Sequence, residues 1–279
     1  AMDAAVAGGV ESMSMVPMGG NKPSAHPGLF AERPESYTGM GITAENVARS
    51  CGVDREVQDE FAYNSHMRAT KAREAGKFAD EIVPVETSVF EEGGERKLTL
   101  EHDELIRPET SKEGLAKLRP AFHAKGSVTP GNSSPLTDGA AALVLMAADK
   151  AKELGLEIHG YFRNFSVVGV DPAIMGIGPV PAIRKLMELS GKKTDDIGTF
   201  EINEAFAAQA SYCVRELGLD AAKVNPNGGA IALGHPLGAT GAILACKLLS
   251  EMKREDQKLG VVSMCIGGGM GAAGLFERA

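Results

Sequence analysis

The sequence lacks the cysteine spacing that metal sites and disulfide frameworks require. Its four cysteines, Cys51, Cys213, Cys246 and Cys265, are scattered through 279 residues without a Cys-x-x-Cys or Cys-x-x-x-His pair. This spacing indicates neither a zinc site nor a disulfide-stabilised secreted fold. We therefore expect no bound metal and a reducing compartment, the cytoplasm in the simplest case.

Basic charge and long apolar runs are also scarce. Lysine and arginine total 29 against 37 acidic residues, which leaves a net charge of −8. This balance argues against a broad nucleic-acid surface, so an anionic ligand would need a local basic or amide-rich site. No apolar run has the length of a membrane span, and no signal peptide is recognisable. The 43% of hydrophobic residues can nevertheless form one large α/β core or two smaller ones.

The first half of the chain shows little periodicity. Residues 17–135 are charged and rich in proline and glycine, with two predicted helices at 43–51 and 55–75 and a weak strand at 81–89. Thr43 is the candidate N-cap of the first helix. So little regular structure is typical of an insertion that packs on a core rather than of an independent domain.

The second half alternates predicted strands and helices. The strand segments, in chain order, are "DGAAALVLMAA", "HGYFRNFSVVGVD", "DIGTFEIN" and "GVVSMC". The helix segments are "VPAIRKLMELSG", "EAFAAQASYCVRELG" and "GAILACKLLSEMKRED". This alternation predicts a layered α/β domain over residues 159–279.

The last strand runs into a glycine-rich stretch, "GVVSMCIGGGMGAAG", which contains a literal Gly-x-Gly-x-x-Gly at Gly269, Gly271 and Gly274. A dinucleotide fingerprint needs a following helix, a second strand and a later acidic residue, and five residues are too few for that unit. Two interpretations remain for this stretch. It forms a tight hairpin with Cys265 as a small buried residue, or it presents Cys265 as a reactive thiol.

Two more loops carry candidate chemistry. "NPNGGAIALGHPLGATG" presents His235 before Pro236 as a general base, an oxyanion donor or simply a capping residue. At the end of "FEIN", Asn203 and Glu204 either face a ligand or serve as a helix N-cap and a surface acid. Each loop alone is ambiguous, but three loops that offer Asn, His and Cys at strand ends predict one shared pocket.

These motifs together resemble the thiolase family. "NPNGGAIALGHPLGATG", "GVVSMCIGGGMGAAG" and "NEAFA" carry the resemblance, and "GGVESMS", "MGITAENVA", "KLRPAF", "GNSSPLTDGAAA" and "MGIGPVPA" follow the family's order. The resemblance implies an α/β thiolase fold with layers α-β-α-β-α. It also implies acyl transfer: cleavage of 3-ketoacyl-CoA by CoA, or the reverse Claisen condensation, in fatty acid β-oxidation. CoA is then a co-substrate, acyl-CoA the other ligand, and no cofactor is bound permanently.

The resemblance also assigns catalytic roles. His235 matches the histidine that activates the nucleophilic cysteine and contributes to one oxyanion hole. Asn203 matches the residue that holds a water for that hole. Cys265 matches the second cysteine, which shuttles protons, and Gly267 matches the glycine whose amide helps to form the other oxyanion hole.

Further positions match the CoA path of the family. Ser134, Arg107 and Phe122 match residues along the pantetheine and nucleotide, where Arg107 would supply local positive charge for phosphates. The apolar wall near the acyl end would be formed by Met40, Met175, Ala205 and Phe206.

The resemblance divides the chain into four parts. Residues 1–16 match a remnant of the N-terminal domain, 17–135 a loop domain over CoA, 136–158 the last N-domain strand and a linker, and 159–279 a complete C-terminal domain. The family also implies a homo-oligomer, a dimer or tetramer, which the missing part would alter.

Two departures from the family pattern leave alternatives open. Gly39 precedes Met40 where biosynthetic acetoacetyl-CoA enzymes usually carry histidine, which favours a degradative enzyme over a biosynthetic one. No Cys-Ser-Ser-Gly-like nucleophile segment precedes "GGVESMS", and Cys51 matches no catalytic position. We therefore expect an N-terminally truncated thiolase, either a portion of a functional enzyme or an inactive remnant that at most binds CoA. The condensing synthases fit less well, since they use a Cys-His-His set.

Overall fold

The computed structural model describes residues 3–279 as an α/β protein. Its strands, in chain order, are β1 (Ala4–Ser12), β2 (Val85–Glu91), β3 (Gly94–Leu100), β4 (Asp138–Met146), β5 (Gly160–Gly169), β6 (Thr199–Ile202), β7 (Leu259–Ile266) and β8 (Met270–Arg278). Its α-helices are α1 (Pro27–Glu32), α2 (Met40–Ser50), α3 (Arg55–Glu74), α4 (Lys112–Ala116), α5 (Ala148–Glu153), α6 (Pro179–Ser190), α7 (Ala207–Glu216), α8 (Ala230–Leu233) and α9 (Thr240–Arg254). Across these residues, no helix is both long and apolar enough to cross a bilayer.

The centre of the second half is a four-stranded sheet in the order β5-β8-β7-β6. β6 pairs with β7 in parallel, and the other neighbours are antiparallel. Helix α6 packs on one face, where Leu186 meets Phe200 and Ile202 of β6 in a buried apolar cluster. Helix α9 packs on the other face through Leu248 and its neighbours. Strand alternation therefore places Phe200 and Ile202 on the α6 side and leaves Glu201 and Asn203 on the α9 side.

A second, two-stranded sheet lies beyond α9. β1 and β4 pair in antiparallel register with Val6 opposite Val144. Along both strands exposed and half-buried residues alternate, and Leu143 on the half-buried face packs against the α9 cluster. The other face exposes Val6, Val10 and Val144 by more than 70%.

The first half of the chain packs on this core through α3. Ala69 and Ala72 of α3 join Phe78, Ile106 and Ala232 of α8 in one buried cluster. The long α3 follows the prediction closely, since it begins after Asp54 and ends before Gly76, which has a φ of +70°. Helix α3 therefore packs on α8 through this cluster.

Two details of this half correct the sequence interpretation. Helix α2 begins at Met40 with Gly39 as its N-cap, and the Thr43 hydroxyl donates to the Met40 carbonyl inside the first turn at 2.7 Å. The single strand expected at 81–89 is a hairpin of β2 and β3. Both strands are largely exposed, so the apolar alternation that marks a half-buried strand is weak there.

The glycine-rich end of the chain is a hairpin between β7 and β8. Gly268 and Gly269 in its turn have φ values of +85° and +95°, which favour glycine. A Cβ on Gly271 would lie 1.9 Å from the Gly178 carbonyl oxygen, so this glycine allows two backbones to touch. The glycines thus serve a tight turn and a close packing contact, as the hairpin interpretation predicts.

Candidate active site

The sheet brings two predicted residues to one edge. The backbone N–H of Asn203 donates to the Ser263 carbonyl of β7 at 2.9 Å, just beyond the end of β6. Because β6 and β7 are parallel, their carboxyl ends lie at the same edge. Cys265 is the next-to-last residue of β7 and Gly267 follows the strand, so Asn203 and the Cys265 segment share this edge.

His235 reaches this edge from a loop rather than from a strand end. The loop follows Val224, which forms only an isolated parallel bridge with Phe200, so the expectation of a full strand before it is wrong. Gly234, with a φ of +98°, ends α8 and turns the chain toward His235. The His235 backbone N–H then donates to the Thr137 hydroxyl at 3.1 Å.

The imidazole of His235 is held at both nitrogens. Nε2 lies 3.2 Å from the Asn203 amide nitrogen, and Nδ1 lies 2.7 Å from Thr240 Oγ1. The Thr240 hydroxyl donates its hydrogen to the Pro236 carbonyl at 2.9 Å, so it accepts from His235. This network assigns the proton to Nδ1 and leaves the Nε2 lone pair as the acceptor.

Burial adjusts the His235 imidazole for base chemistry. Desolvation lowers its pKa to about 4, so the ring is neutral at physiological pH. A neutral imidazole can accept a proton at Nε2 from a thiol or from a carbon acid when the Asn203 amide gives up its hydrogen bond to that nitrogen. The capping interpretation of His235 does not describe these contacts.

Asn203 is placed for the same site. Helix α7 begins at Ala207 with Phe206 as its N-cap, so the N-cap interpretation of Asn203 is wrong. Its side chain is buried, and no partner for its Oδ1 is found among residues 3–279. An orphaned buried acceptor beside a histidine is suited to hold a water or a ligand donor.

Cys265 provides a protonated thiol at this edge. Burial raises its pKa to about 11, so the thiol keeps its hydrogen at physiological pH. The side chain is half-buried rather than sealed in the core. Gly267 is exposed in the hairpin turn, and a Cβ there would meet nothing within 4 Å. The turn therefore leaves open space at Gly267.

Two of the apolar residues expected along the CoA path, Phe122 and Phe206, contact each other. The rings of Phe122 and Phe206 lie 6.0 Å apart in an edge-to-face arrangement. A Cβ on Gly41 would lie 2.2 Å from the Phe122 ring, so the start of α2, with Met40, reaches this pair. Met175 and Ala205 are buried.

The two polar residues expected to bind CoA, Ser134 and Arg107, do not line the same cavity, although Ser133 and Pro135 on either side of Ser134 do line the cavity of Arg107. The Ser134 hydroxyl donates to the Ala205 carbonyl at 3.0 Å, next to the aromatic pair. Arg107 lines a cavity of about 250 Å³ together with His66, Ser133 and Ile231, whereas Ser134 and Phe122 do not line it. The Arg107 backbone N–H donates to His66 Nδ1 at 3.2 Å. Burial lowers the pKa of His66 to about 4, so its Nε2 carries the hydrogen.

The structure adds residues that sequence reasoning missed. Thr240 orients His235, and its position at the start of a helix five residues later is the only signal that could have found it. Glu204, interpreted as a surface acid, is instead fully buried. Three donors converge on its carboxylate, from Asn225, Ser65 and Ile231.

The structure brings Asn203 and His235 into contact and places Cys265 near the end of the neighbouring strand β7 on an α/β fold. Comparison with known proteins identifies the family. The model of the thiolase N-terminal domain matches residues 1–149, and that of the C-terminal domain matches residues 156–278. The chain therefore belongs to the thiolase family of acyltransferases.

Individual relatives agree with this assignment. The 3-ketoacyl-CoA thiolase of Bacillus subtilis is 55% identical over 99% of the chain and 72% of its own length. Peroxisomal 3-ketoacyl-CoA thiolase A of Mus musculus is 52% identical over 99% of the chain, which spans 66% of that relative.

Solved structures show the same fold. Human mitochondrial 3-ketoacyl-CoA thiolase superposes with a TM-score of 0.89 at 39% identity, over 99% of this chain and 72% of its own. The dimeric peroxisomal thiolase of Saccharomyces cerevisiae superposes with a TM-score of 0.89 at 45% identity. The match covers 100% of this chain and 70% of the yeast chain. These likenesses confirm the thiolase fold expected from the motifs.

Proposed function

We propose that the chain takes part in the thiolytic cleavage of 3-ketoacyl-CoA by CoA, or in the reverse Claisen condensation, in fatty acid β-oxidation. The observation that carries this proposal is the contact of Asn203 with a neutral His235 oriented by Thr240. The names of the relatives support the substrate class, since they are 3-ketoacyl-CoA thiolases. Gly39 before Met40 favours the degradative direction over acetoacetyl-CoA synthesis.

The proposal gives each residue a chemical task. His235 Nε2 accepts the proton of the attacking thiol, because the ring is neutral and the thiol can replace the Asn203 amide at the Nε2 lone pair. The protonated Cys265 exchanges a proton with the substrate carbon or with the CoA sulfur. Asn203 Oδ1 holds the water of one oxyanion hole, and the Gly267 amide donates to the other.

CoA binding is assigned to the loop region. Arg107 supplies positive charge at the cavity that it lines with Ser133, and CoA phosphates need such charge in an acidic protein. The pair of Phe122 and Phe206, with Met40, Met175, Ala205 and Ser134, borders the path toward the sheet edge. A solved relative, human mitochondrial 3-ketoacyl-CoA thiolase, has been crystallised in complex with CoA.

A second candidate function is CoA binding without acyl transfer. The observation that favours it is the absence of a Cys-Ser-Ser-Gly segment in the 279 residues. Cys213 is buried with a pKa raised well above the usual value, so it does not replace such a nucleophile. Cys51 is the C-cap of α2, and burial raises its pKa as well.

Two measurements separate these functions. Isothermal titration calorimetry with CoA should show binding, and Arg107→Ala should weaken it about 10-fold or more through loss of a charge-assisted contact. Arg184→Ala, which removes an exposed arginine paired with Glu216, is the matched control and should bind CoA normally. Thiolysis of a 3-ketoacyl-CoA should be detectable and lost in His235→Asn. Binding without thiolysis would favour the second function, and absence of CoA binding would contradict both.

Assembly and location belong to the same proposal. We expect a homo-oligomer, and one solved relative is described as dimeric. We also keep the cytoplasmic location expected from cysteine usage, although several relatives are named peroxisomal. Sedimentation velocity and microscopy of the tagged protein in its own cells test these two points.

A further inference from the structure

Glu204 is the most completely bonded buried acid beside the site. Its side chain follows Asn203 directly and is only 2% exposed. Oε1 accepts from Asn225 Nδ2 at 2.8 Å, while Oε2 accepts from Ser65 Oγ at 2.6 Å and from the Ile231 backbone N–H at 3.3 Å. Three donors from α3, α8 and the loop before it thus converge on one carboxylate.

The loop at 225–231 is shaped around this carboxylate. Asn225 has a φ of +45°, and its Oδ1 accepts from the Ile202 backbone N–H at 2.8 Å. The Gly229 backbone N–H donates to Ser65 Oγ at 3.1 Å. A Cβ on Gly229 would lie 2.3 Å from the Glu204 carboxyl carbon, so only glycine fits there. The loop closes directly on Glu204.

Both halves of the site depend on these contacts. On one side, Glu204 is the chain neighbour of Asn203, whose amide faces His235. On the other side, α8 and Gly234 lead from the bonded loop to His235 within four residues of Ile231. One carboxylate therefore joins the strand end that carries the amide to the loop that carries the imidazole.

We propose that Glu204 is a positioning residue, whose carboxylate holds the 225–231 loop against the end of β6 and so sets the contact between Asn203 and His235. The effect of this positioning on catalysis rests on the proposed function. That Glu204 sets the contact between Asn203 and His235 can be tested without it.

The hydrogen-bond geometry of the site explains why a carboxylate is needed. Burial raises the Glu204 pKa, and the Ser65, Asn225 and Ile231 donors and the nearby Lys247 ammonium only reduce that rise. The ionised form offers only acceptors, which match three converging donors. A glutamine of the same size would aim an N–H₂ group at one of those donors, so at least one buried hydrogen bond would be lost.

The test measures the tautomer and the titration midpoint of His235 directly. Protein labelled with ¹⁵N-histidine is titrated by NMR, with His235 assigned through His235→Asn. In the wild type we expect Nδ1–H as the single tautomer and a midpoint far below that of an ordinary histidine. Glu204→Gln should shift the midpoint upward by at least one pH unit and mix the two tautomers, because the Asn203 contact loosens.

Glu201→Gln is the matched control. Glu201 lies on β6 three residues before Glu204, is equally buried, and has no partner for either carboxylate oxygen among residues 3–279. Its replacement should leave the His235 tautomer and midpoint unchanged. If Glu204→Gln does not fold, Ser65→Ala replaces it, since Ser65 bridges Glu204 and Gly229, and a smaller shift of the same sign is expected.

The outcomes are distinguishable. A folded Glu204→Gln with wild-type His235 signals would overturn the positioning role, as would an equal shift in Glu201→Gln. If Ser65→Ala has to be used, unchanged His235 signals in that variant overturn it as well. If His235 responds as expected while wild-type protein binds no CoA, the proposed function fails and the positioning role stands.

Discussion

At the scale of single residues, the site is defined by the hydrogen bonds of one imidazole. Thr240 fixes which His235 nitrogen carries the proton, because its own hydrogen is committed to the Pro236 carbonyl. The Asn203 amide N–H then donates to the lone pair of His235 Nε2. The threonine that sets the protonation state of this base lies in the same sequence motif as His235, but the motif alone assigned it no role.

The first prediction concerns the charge of His235. Its midpoint should lie near pH 4 by NMR titration, well below the ordinary value of 6.5. Between these values the unfolded chain binds a proton that the folded chain does not, so His235 and His66 both lower stability as the pH falls from 6.5 toward 4. Denaturant unfolding over this range measures the loss, and a His235 midpoint near 6.5 would contradict the burial argument.

The second prediction concerns Glu201, whose buried carboxyl has no hydrogen-bond partner in the described chain. Burial raises its pKa to about 8, although the Lys247 ammonium opposes this shift. From the unfolded value near 4.5 up to 8, only the folded state keeps the proton, so stability falls as the pH rises. The free energy of unfolding falls by at most roughly 1.4 kcal/mol per pH unit over this range.

Glu201→Gln should remove this fall, because an amide does not titrate. Urea unfolding at pH 4.5 and pH 7.5 should show the variant gaining stability relative to wild type at the higher pH. Glu216→Gln, which changes an exposed carboxyl paired with Arg184, is the control and should keep the wild-type slope. A parallel pH dependence for wild type and Glu201→Gln would contradict the raised pKa.

At the scale of elements, the β7–β8 hairpin shows how glycine shapes the site. Gly271 faces the Gly178 carbonyl across a contact that leaves no room for a side chain. The third prediction is that Gly271→Ala lowers the free energy of unfolding by about 1–3 kcal/mol or more through overpacking. Chemical denaturation measures it.

Gly169→Ala serves as the control for this prediction. Gly169 pairs with Met270 in the adjacent register position, and a Cβ there meets nothing within 4 Å. Its replacement should cost less than about 0.5 kcal/mol, in the range of surface substitutions. Equal losses of unfolding free energy in both variants would show that the contact with Gly178 is not what excludes a side chain at Gly271.

The β1–β4 sheet carries the fourth prediction, again at the scale of elements. Val6, Val10 and Val144 form one exposed apolar face. Such faces drive association, so the chain should self-associate in a concentration-dependent way. Replacing Val6 and Val144 by threonine should reduce association in sedimentation velocity, whereas Val83→Thr, at an exposed loop position, should not. A stable monomer at high concentration would contradict the prediction.

At the scale of the whole molecule, the loop region and the α/β region share buried surface. Ser65 and Arg68 of α3 bond to Glu204 and to the Val224 carbonyl, and Ala69 packs on Ala232. Residues 17–135 remain our prediction for a loop domain. These contacts indicate that its long helix is integral to the core.

The fifth prediction follows from this shared surface. Amide hydrogen exchange in α3 should be as slow as in α9, because both helices open only with the core. The exposed β2–β3 hairpin should exchange much faster and is the internal control. Exchange in α3 as fast as in the hairpin would show that the loop region unfolds independently.

Much of this architecture could be predicted from the chain itself. The α3 and α6 boundaries follow from apolar periodicity and from Gly76 and Gly191, both in the left-handed region. His235, Asn203 and Cys265 could be selected because their motifs are specific to one family. Ser65 and Glu204 could not, since their roles depend on contacts between segments distant in the sequence. Thr240 is only five residues from His235, but its role depends on how the chain turns between them.

The sequence by itself determined the family, the α/β class and the residue types at the sheet edge, because local periodicity, turn chemistry and motif order are written in short segments. Tertiary structure alone decided that Asn203 turns to His235 instead of capping α7. It also decided that Glu204 is buried against Ser65 and Asn225 instead of facing water. The physical reason is that side-chain direction and burial depend on which distant elements pack together, and no local pattern encodes that packing.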